Sequence, residues 1–162
     1  MNTALACVLA FGLATSQAAP LSATLTKGLG YEGAIMAAES LRRSEPPGRR
    51  SFTEYWTPTE TDVREAETRL VEYLGSSDPA QILRGSRVRS ELAQYRRQYW
   101  GVVREGQREL LISFFHANTP AVARELWKTT VFAVAGGGDN YFRVSFGVDS
   151  KRFSRLQINA PE

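Results

Sequence analysis

The hydrophobic period changes once along this chain, and that change constrains its fold more than any other feature. Across "TPTETDVREAETRLVEYLG", Val63, Ala66, Leu70, Tyr73 and Leu74 recur at helical spacing. From Tyr95 onward apolar and polar residues alternate, the period of a strand. A helix must bury one stripe and an alternating strand one face, so the two halves predict an α+β domain with one main helix packed on an antiparallel sheet.

The helix is expected from about Pro58 to Leu74. Thr57 serves as N-cap, Pro58 takes the first helical position and Glu60 closes a capping box, with Asp62 and Glu65 near the positive end. Gly75 stops it, and Asp78-Pro79 opens a second short turn through Leu83. The sheet of four to five strands is drawn from "QYRRQYWGVV", "ELLISFFHA", "KTTVFAVA", "YFRVSFGVD" and "FSRLQIN". Turns fall at Glu105-Gly106-Gln107 and Ser150-Lys151, and "NTPAVARELW" forms one helical turn capped by Thr119.

Gly136 to Asn140 stand before "YFRVSF", a strand pattern. A phosphate cradle needs a Lys-Ser or Lys-Thr after the glycines and a helix behind them, so these residues read as a hairpin turn with positive φ angles. Gly28-Leu29-Gly30-Tyr31-Glu32-Gly33 matches the dinucleotide-binding spacing. That fingerprint works only after a buried strand and before a helix, and "LSATLT" is too small and polar for such a strand. "GAIMAAESLRR" is open between a short helix with Ile35, Met36 and Leu41 on one side and a segment ordered only on docking. Pro46-Pro47-Gly48 with flanking arginines makes residues 42–52 a flexible linker.

The first twenty residues carry no charged side chain and run from an apolar core to Ser16-Gln17-Ala18, the layout of a secretory signal cut after Ala18 or Ala19. Cys7 lies inside it, too near the start for the usual lipoprotein anchor, which is a minor alternative. Removal leaves no cysteine, hence neither disulfides nor a thiolate zinc site. The expected organisation is a signal over 1–19, an N-terminal segment and linker over 20–54, and one domain over 55–162. The net charge of +3 is spread among acidic residues, which argues against a nucleic-acid footprint. No transmembrane segment is expected in the mature chain, which is placed in the periplasm or outside the cell.

No catalytic apparatus and no cofactor are read from the residues. His116 is the single histidine, without a Gly-x-Ser-x-Gly elbow or a metal-ligand cluster, and reads as a strand-end residue with an ordinary hydrogen bond. Asp139 and Asp149 bracket one strand, roughly 30 Å apart at about 3.3 Å per residue. Glycoside hydrolysis needs a carboxylate pair within about 10 Å. Aromatic residues occupy both faces of the strands, and one helix covers only one face. The other face is either a binding surface or is covered by the N-terminal segment or by curling of the sheet. The candidate binding residues are Tyr95, Arg97, Tyr99, Trp100 and Arg143, with Asp139 in the glycine turn.

"YWTPTETDVREAE", "YRRQYWGVVREGQRELLISFF" and "GGGDNYFRVSFGVDSKRFSRLQIN" resemble motifs of a family of short bacterial exported proteins with no assigned activity, over roughly residues 55–159. The resemblance therefore implies no catalytic residues. Family members often end the last motif as Asn-Gly-x-Ala, from which Asn159-Ala160-Pro161-Glu162 departs. One helix followed by an antiparallel meander is similar in architecture to cystatin-like folds, an analogy that carries no function. The leading expectation is an exported protein that binds an envelope ligand or protein. The alternatives are a small hydrolase or isomerase using His116 with a carboxylate in a helix–sheet cavity, and a structural accessory of the envelope.

Overall fold

The computed structural model describes residues 23–44, 52, 54–131, 134 and 136–161. The expected signal and residues 45–51 of the expected linker lie outside these. Residues 42–44 of that linker close a helix.

The described strands are β1 (Ala23–Gly28), β2 (Tyr31–Met36), β3 (Glu54–Trp56), β4 (Tyr95–Arg104), β5 (Gln107–His116), β6 (Tyr141–Gly147) and β7 (Phe153–Ile158). The helices are α1 (Ala38–Ser44), α2 (Glu60–Gly75) and the single turn α3 (Pro120–Ala123). One sheet runs β1-β2-β4-β5-β6-β7, with β3 paired to β4 off that path. Strands β4 to β7 form the expected antiparallel meander. On its other side β4 takes β2 in parallel along Arg96–Tyr99 and β3 antiparallel along Gly101–Val103.

The sheet is thus larger than the four to five strands expected. β1 comes from the stretch that looks too polar for a buried strand, and β2 ends in the stretch left open between a short helix and a segment ordered only on docking. β1 is an edge strand instead: most of its side chains face solvent, and such a strand needs no apolar run. Ile35 and Met36 belong to β2 rather than opening a helix, because pairing with β4 claims that stretch and α1 begins only at Ala38. "KTTVFAVA" is not a strand where it is described. Lys128 ends a tight turn, and Thr129 to Val131 are irregular. Among the described residues the glycine segment therefore leads into β6 with no strand before it, although Gly137 (φ 88°) and Gly138 (φ 56°) do adopt the positive φ angles expected.

The cap of α2 lies two residues later than Thr57. Thr59 Oγ1 accepts the Asp62 N–H at 3.2 Å, and the Asp62 carboxylate accepts the Thr59 N–H at 2.9 Å. Thr57 serves elsewhere, since its hydroxyl accepts the Ala38 N–H at 3.0 Å and ties the start of α1 to the approach of α2. Val63, Ala66, Leu70 and Leu74 form the buried stripe of α2, as the period predicts.

Both faces of the sheet are covered. On one, α2 packs over Ile35, Tyr95, Tyr99, Phe114, Phe142, Val144 and Phe146. On the other, Ala38 and Leu41 of α1, Ala121 of α3 and Trp127 pack over Ala34, Met36, Val102, Leu111 and Phe115. Strands that are apolar on both faces need two covers, and the N-terminal segment and the 119–131 connection supply the second.

This packing leaves no room for a side chain at Gly33. A Cβ at Gly33 would collide with the Tyr99 ring and lie 2.9 Å from the carbonyl oxygen of Arg97, whereas one at Gly75 meets nothing within 4 Å. Gly33→Ala is therefore expected to destabilise the chain by about 1–3 kcal/mol through overpacking, and Gly75→Ala to leave it unchanged or slightly more stable. Urea unfolding of both variants checks this. Equal effects would show that the ring accommodates a methyl group freely.

Candidate functional site

A cleft of about 550 Å³ lies between the β1–β2 hairpin and α2. Its wall is one stripe of the helix, Glu60, Arg64, Glu67, Thr68 and Val71, at the three- and four-residue spacing that puts side chains on one face. Its floor is the hairpin, including Thr26, Gly28 and Tyr31. The three glycines of the apparent nucleotide fingerprint build that hairpin. Gly28 lies flat against the Tyr31 ring, Gly30 (φ 80°) makes the turn, and Gly33 leaves room for Tyr99.

With no side chain at Gly33, the Tyr99 ring lies across β2 and its hydroxyl donates to Glu67 Oε1 at 2.9 Å. Arg97 Nε lies 3.0 Å from the same oxygen, off the N–H direction, so that contact is an ion pair without an aligned hydrogen bond. The guanidinium is held in place by the Tyr95 carbonyl at 2.7 Å and sits 5.3 Å from the centre of the Phe114 ring. Arg97 is 1% exposed, Tyr99 0% and Glu67 9%.

Burial disfavours the charged form of Glu67 and holds its carboxyl above the ordinary range, against the opposing pull of Arg97 and the hydrogen bond from Tyr99. The Tyr99 phenol is likewise pushed up by burial and by the neighbouring carboxylate. Both contacts fall on Oε1. The second oxygen of Glu67 has no hydrogen bond among the described residues, and the side chain lines the cleft.

The six residues expected to bind divide into three groups. Tyr95, Arg97 and Tyr99 are fully buried beneath α2, so they form no open surface; they share the parity of the strand face that the helix covers. Arg97 and Tyr99 act through Glu67. Tyr95 instead donates its hydroxyl to the Asp139 carbonyl at 2.6 Å, and its phenol is pushed up to about 12, first by burial and then by the Asp139 charge. Asp139 turns inward and accepts the Arg87 N–H at 3.0 Å. Trp100 and Arg143 are together on the opposite face, lining a recess of about 170 Å³. The indole N–H of Trp100 is buried and unpaired among the described residues, while exposed Arg143 donates to Gln157 at 2.7 Å.

His116 is 1% exposed at the end of β5. Its Nδ1 accepts the Asn118 N–H at 3.2 Å, so Nε2 carries the proton and donates to Glu91 at 2.8 Å. A histidine and a carboxylate do meet, but neither ring nitrogen is left to take a proton from a substrate. Neither residue lines the cleft. Among the described residues no group of three His, Cys, Asp or Glu side chains is placed to hold a metal ion.

Glu67 is the residue that sequence reasoning missed. Its signal was a carboxylate on the apolar stripe, four residues after Val63 and three before Leu70. Because its folded value is raised, protonation favours the folded chain. The contribution to stability is greatest below the ordinary glutamate value of about 4.3 and declines as pH rises through the raised one. Glu67→Gln removes that dependence. In urea unfolding from about pH 7 to pH 4, the parent is expected to gain stability relative to the variant on acidification. A loss relative to the variant would mean that the pull of Arg97 outweighs burial.

No protein family, no curated protein and no solved structure matches this chain.

Proposed function

We propose that this chain is an exported binding protein of the bacterial envelope or periplasm, holding its ligand in the cleft between the β1–β2 hairpin and α2. The observation that carries the reading is Glu67: a carboxylate held in the wall of this cleft by Arg97 and Tyr99, with one oxygen left without a hydrogen bond among the described residues. A buried charge is costly where packing alone would serve, and a perturbed carboxyl in a cleft is a mark of a functional site. Leu29 and Val71, 104% and 67% exposed, give the rim apolar contact area. The uncharged apolar start of the chain, ending in Ser16-Gln17-Ala18, supports export. Among the described residues no helix is long and apolar enough to cross a membrane. The enzymatic reading has a carboxylate beside His116 in its favour, but that pair is closed on itself and away from the cleft.

A photo-crosslinking residue at Val71, compared with one at exposed Asp149, tests the reading in envelope extract. Crosslinked product is expected from position 71, absent from position 149, and lost when Thr68→Trp fills the cleft. Equal capture at both positions, or capture undiminished in the filled variant, would contradict it. N-terminal sequencing of the fractionated protein is expected to find the chain cut after Ala18 or Ala19. An uncut cytoplasmic chain would refute export.

A further inference from the structure

We propose that the recess on the face of the sheet opposite α2 is a second ligand site, taking a small aromatic monocarboxylate with its carboxylate on Arg143. It is separate from the cleft at Glu67, and neither reading depends on the other.

The strand register builds the recess. Ser113 of β5 lies between Gln98 of β4 and Arg143 of β6, and the next row of the same face runs Trp100, Leu111 and Ser145. On the other side of Ser113 the row is Arg96, Phe115 and Tyr141. From these rows Trp100, Leu111, Ser113, Phe115, Tyr141 and Arg143 line the space of about 170 Å³. A cavity of about 150 Å³ holds benzene, so the recess has room for one six-membered ring. Walls of Trp, Phe and Tyr favour a flat aromatic body, which stacks on them or meets them edge to face.

Charge decides the other half of the ligand. Along β4 to β6 the charged side chains that share this face are Arg96, Arg104, Glu109 and Arg143. Arg96 is matched by Glu32 at 3.2 Å, and Glu109 is held by both Arg104 and Arg155. Glu109 also stands four residues from Ser113, about 13 Å along the strand at 3.3 Å per residue. Arg143 is left over. Its Nε and Nη2 donate to the neutral Gln157 at 3.1 and 2.7 Å, and among the described residues it has no carboxylate partner. No other charged side chain among the described residues lines the recess. Ser113, its partner across the ladder, offers a hydroxyl with no hydrogen bond among the described residues. A guanidinium without a counter-charge, beside a free hydroxyl and aromatic walls, is completed by a carboxylate on a ring.

The probe is phenylacetate. Phenylacetamide keeps its shape without the charge, and acetate keeps the charge without the ring. In proton–nitrogen correlation spectra of the full chain, phenylacetate is expected to shift the Trp100 indole N–H and the amides of Ser113 and Arg143, while those of Gly30 and Thr68 at the cleft stay in place. It should bind at least about tenfold more tightly than phenylacetamide, with affinity falling as salt rises, and acetate should not saturate. Arg143→Gln should lower the affinity for phenylacetate to that for phenylacetamide and leave the latter unchanged. Arg152→Gln, at an exposed arginine outside the recess, should change neither. Ser113→Phe fills the recess and should abolish binding of both; Arg143 is exposed, so its variant tests the proposal even where the filled one fails to fold. Absent binding, equal affinity for the acid and the amide, or an Arg143→Gln variant that binds phenylacetate as the parent does would overturn the proposal. So would shifts confined to Gly30 and Thr68, which would place the acid in the cleft.

Discussion

The contact between Arg97 on β4 and Glu67 on α2 is the interaction on which the rest of this structure depends. Both groups are out of water, so neither is tolerable without the other. The pair adds a directional contact between α2 and the sheet to the apolar stripe of Val63, Ala66, Leu70 and Leu74. Tyr99 adds a hydrogen bond to the same oxygen, and its ring reaches there only because residue 33 is glycine. One glycine in β2, two side chains of β4 and one of α2 thus form a single unit. The cleft is the space left where α2, fixed by that unit, stops short of covering β1.

A second polar network fixes the far end of the domain. Arg87 reaches Asp139, Asn140 and Glu91, and Glu91 accepts the hydrogen bond of His116. These contacts join the connection before β4, the glycine turn and the end of β5. The turn is held from both sides, since the Gly138 N–H donates to the Ala160 carbonyl near the chain's end. The two networks differ in one respect that bears on function. The groups around His116 face one another, whereas Glu67 faces a cleft.

Much of the architecture is legible in the sequence because it rests on periods. The stripe of α2 and the strand runs of β4 to β7 are long enough to be read despite local exceptions such as Glu67 on the stripe and the register shift between β6 and β7. The Glu105-Gly106 turn is legible for a similarly local reason: both residues take positive φ. What escapes is set by distant partners. β1 looks like a polar linker until β2 is beside it, and β2 looks helical until β4 claims it. The glycine spacing of residues 28–33 serves a hairpin, and its use becomes visible only with the Tyr99 ring against Gly33. Arg97 and Tyr99 stand out together on one strand face, yet that face reads as open because their partner, Glu67, is hidden within a charged-looking stretch, "REAETR". The ion pair cannot be read from either segment alone.

A double-mutant cycle is the most direct test of the claim that Arg97 and Glu67 act as one unit. Arg97→Met, Glu67→Gln and the double variant would be compared with the parent by urea unfolding at neutral pH. The double variant is expected to be less destabilised than the sum of the single ones by at least about 1 kcal/mol, because each single change strands the other buried group. Additivity to within about 0.5 kcal/mol would show that the two side chains are merely neighbours, and that something else sets α2 on the sheet.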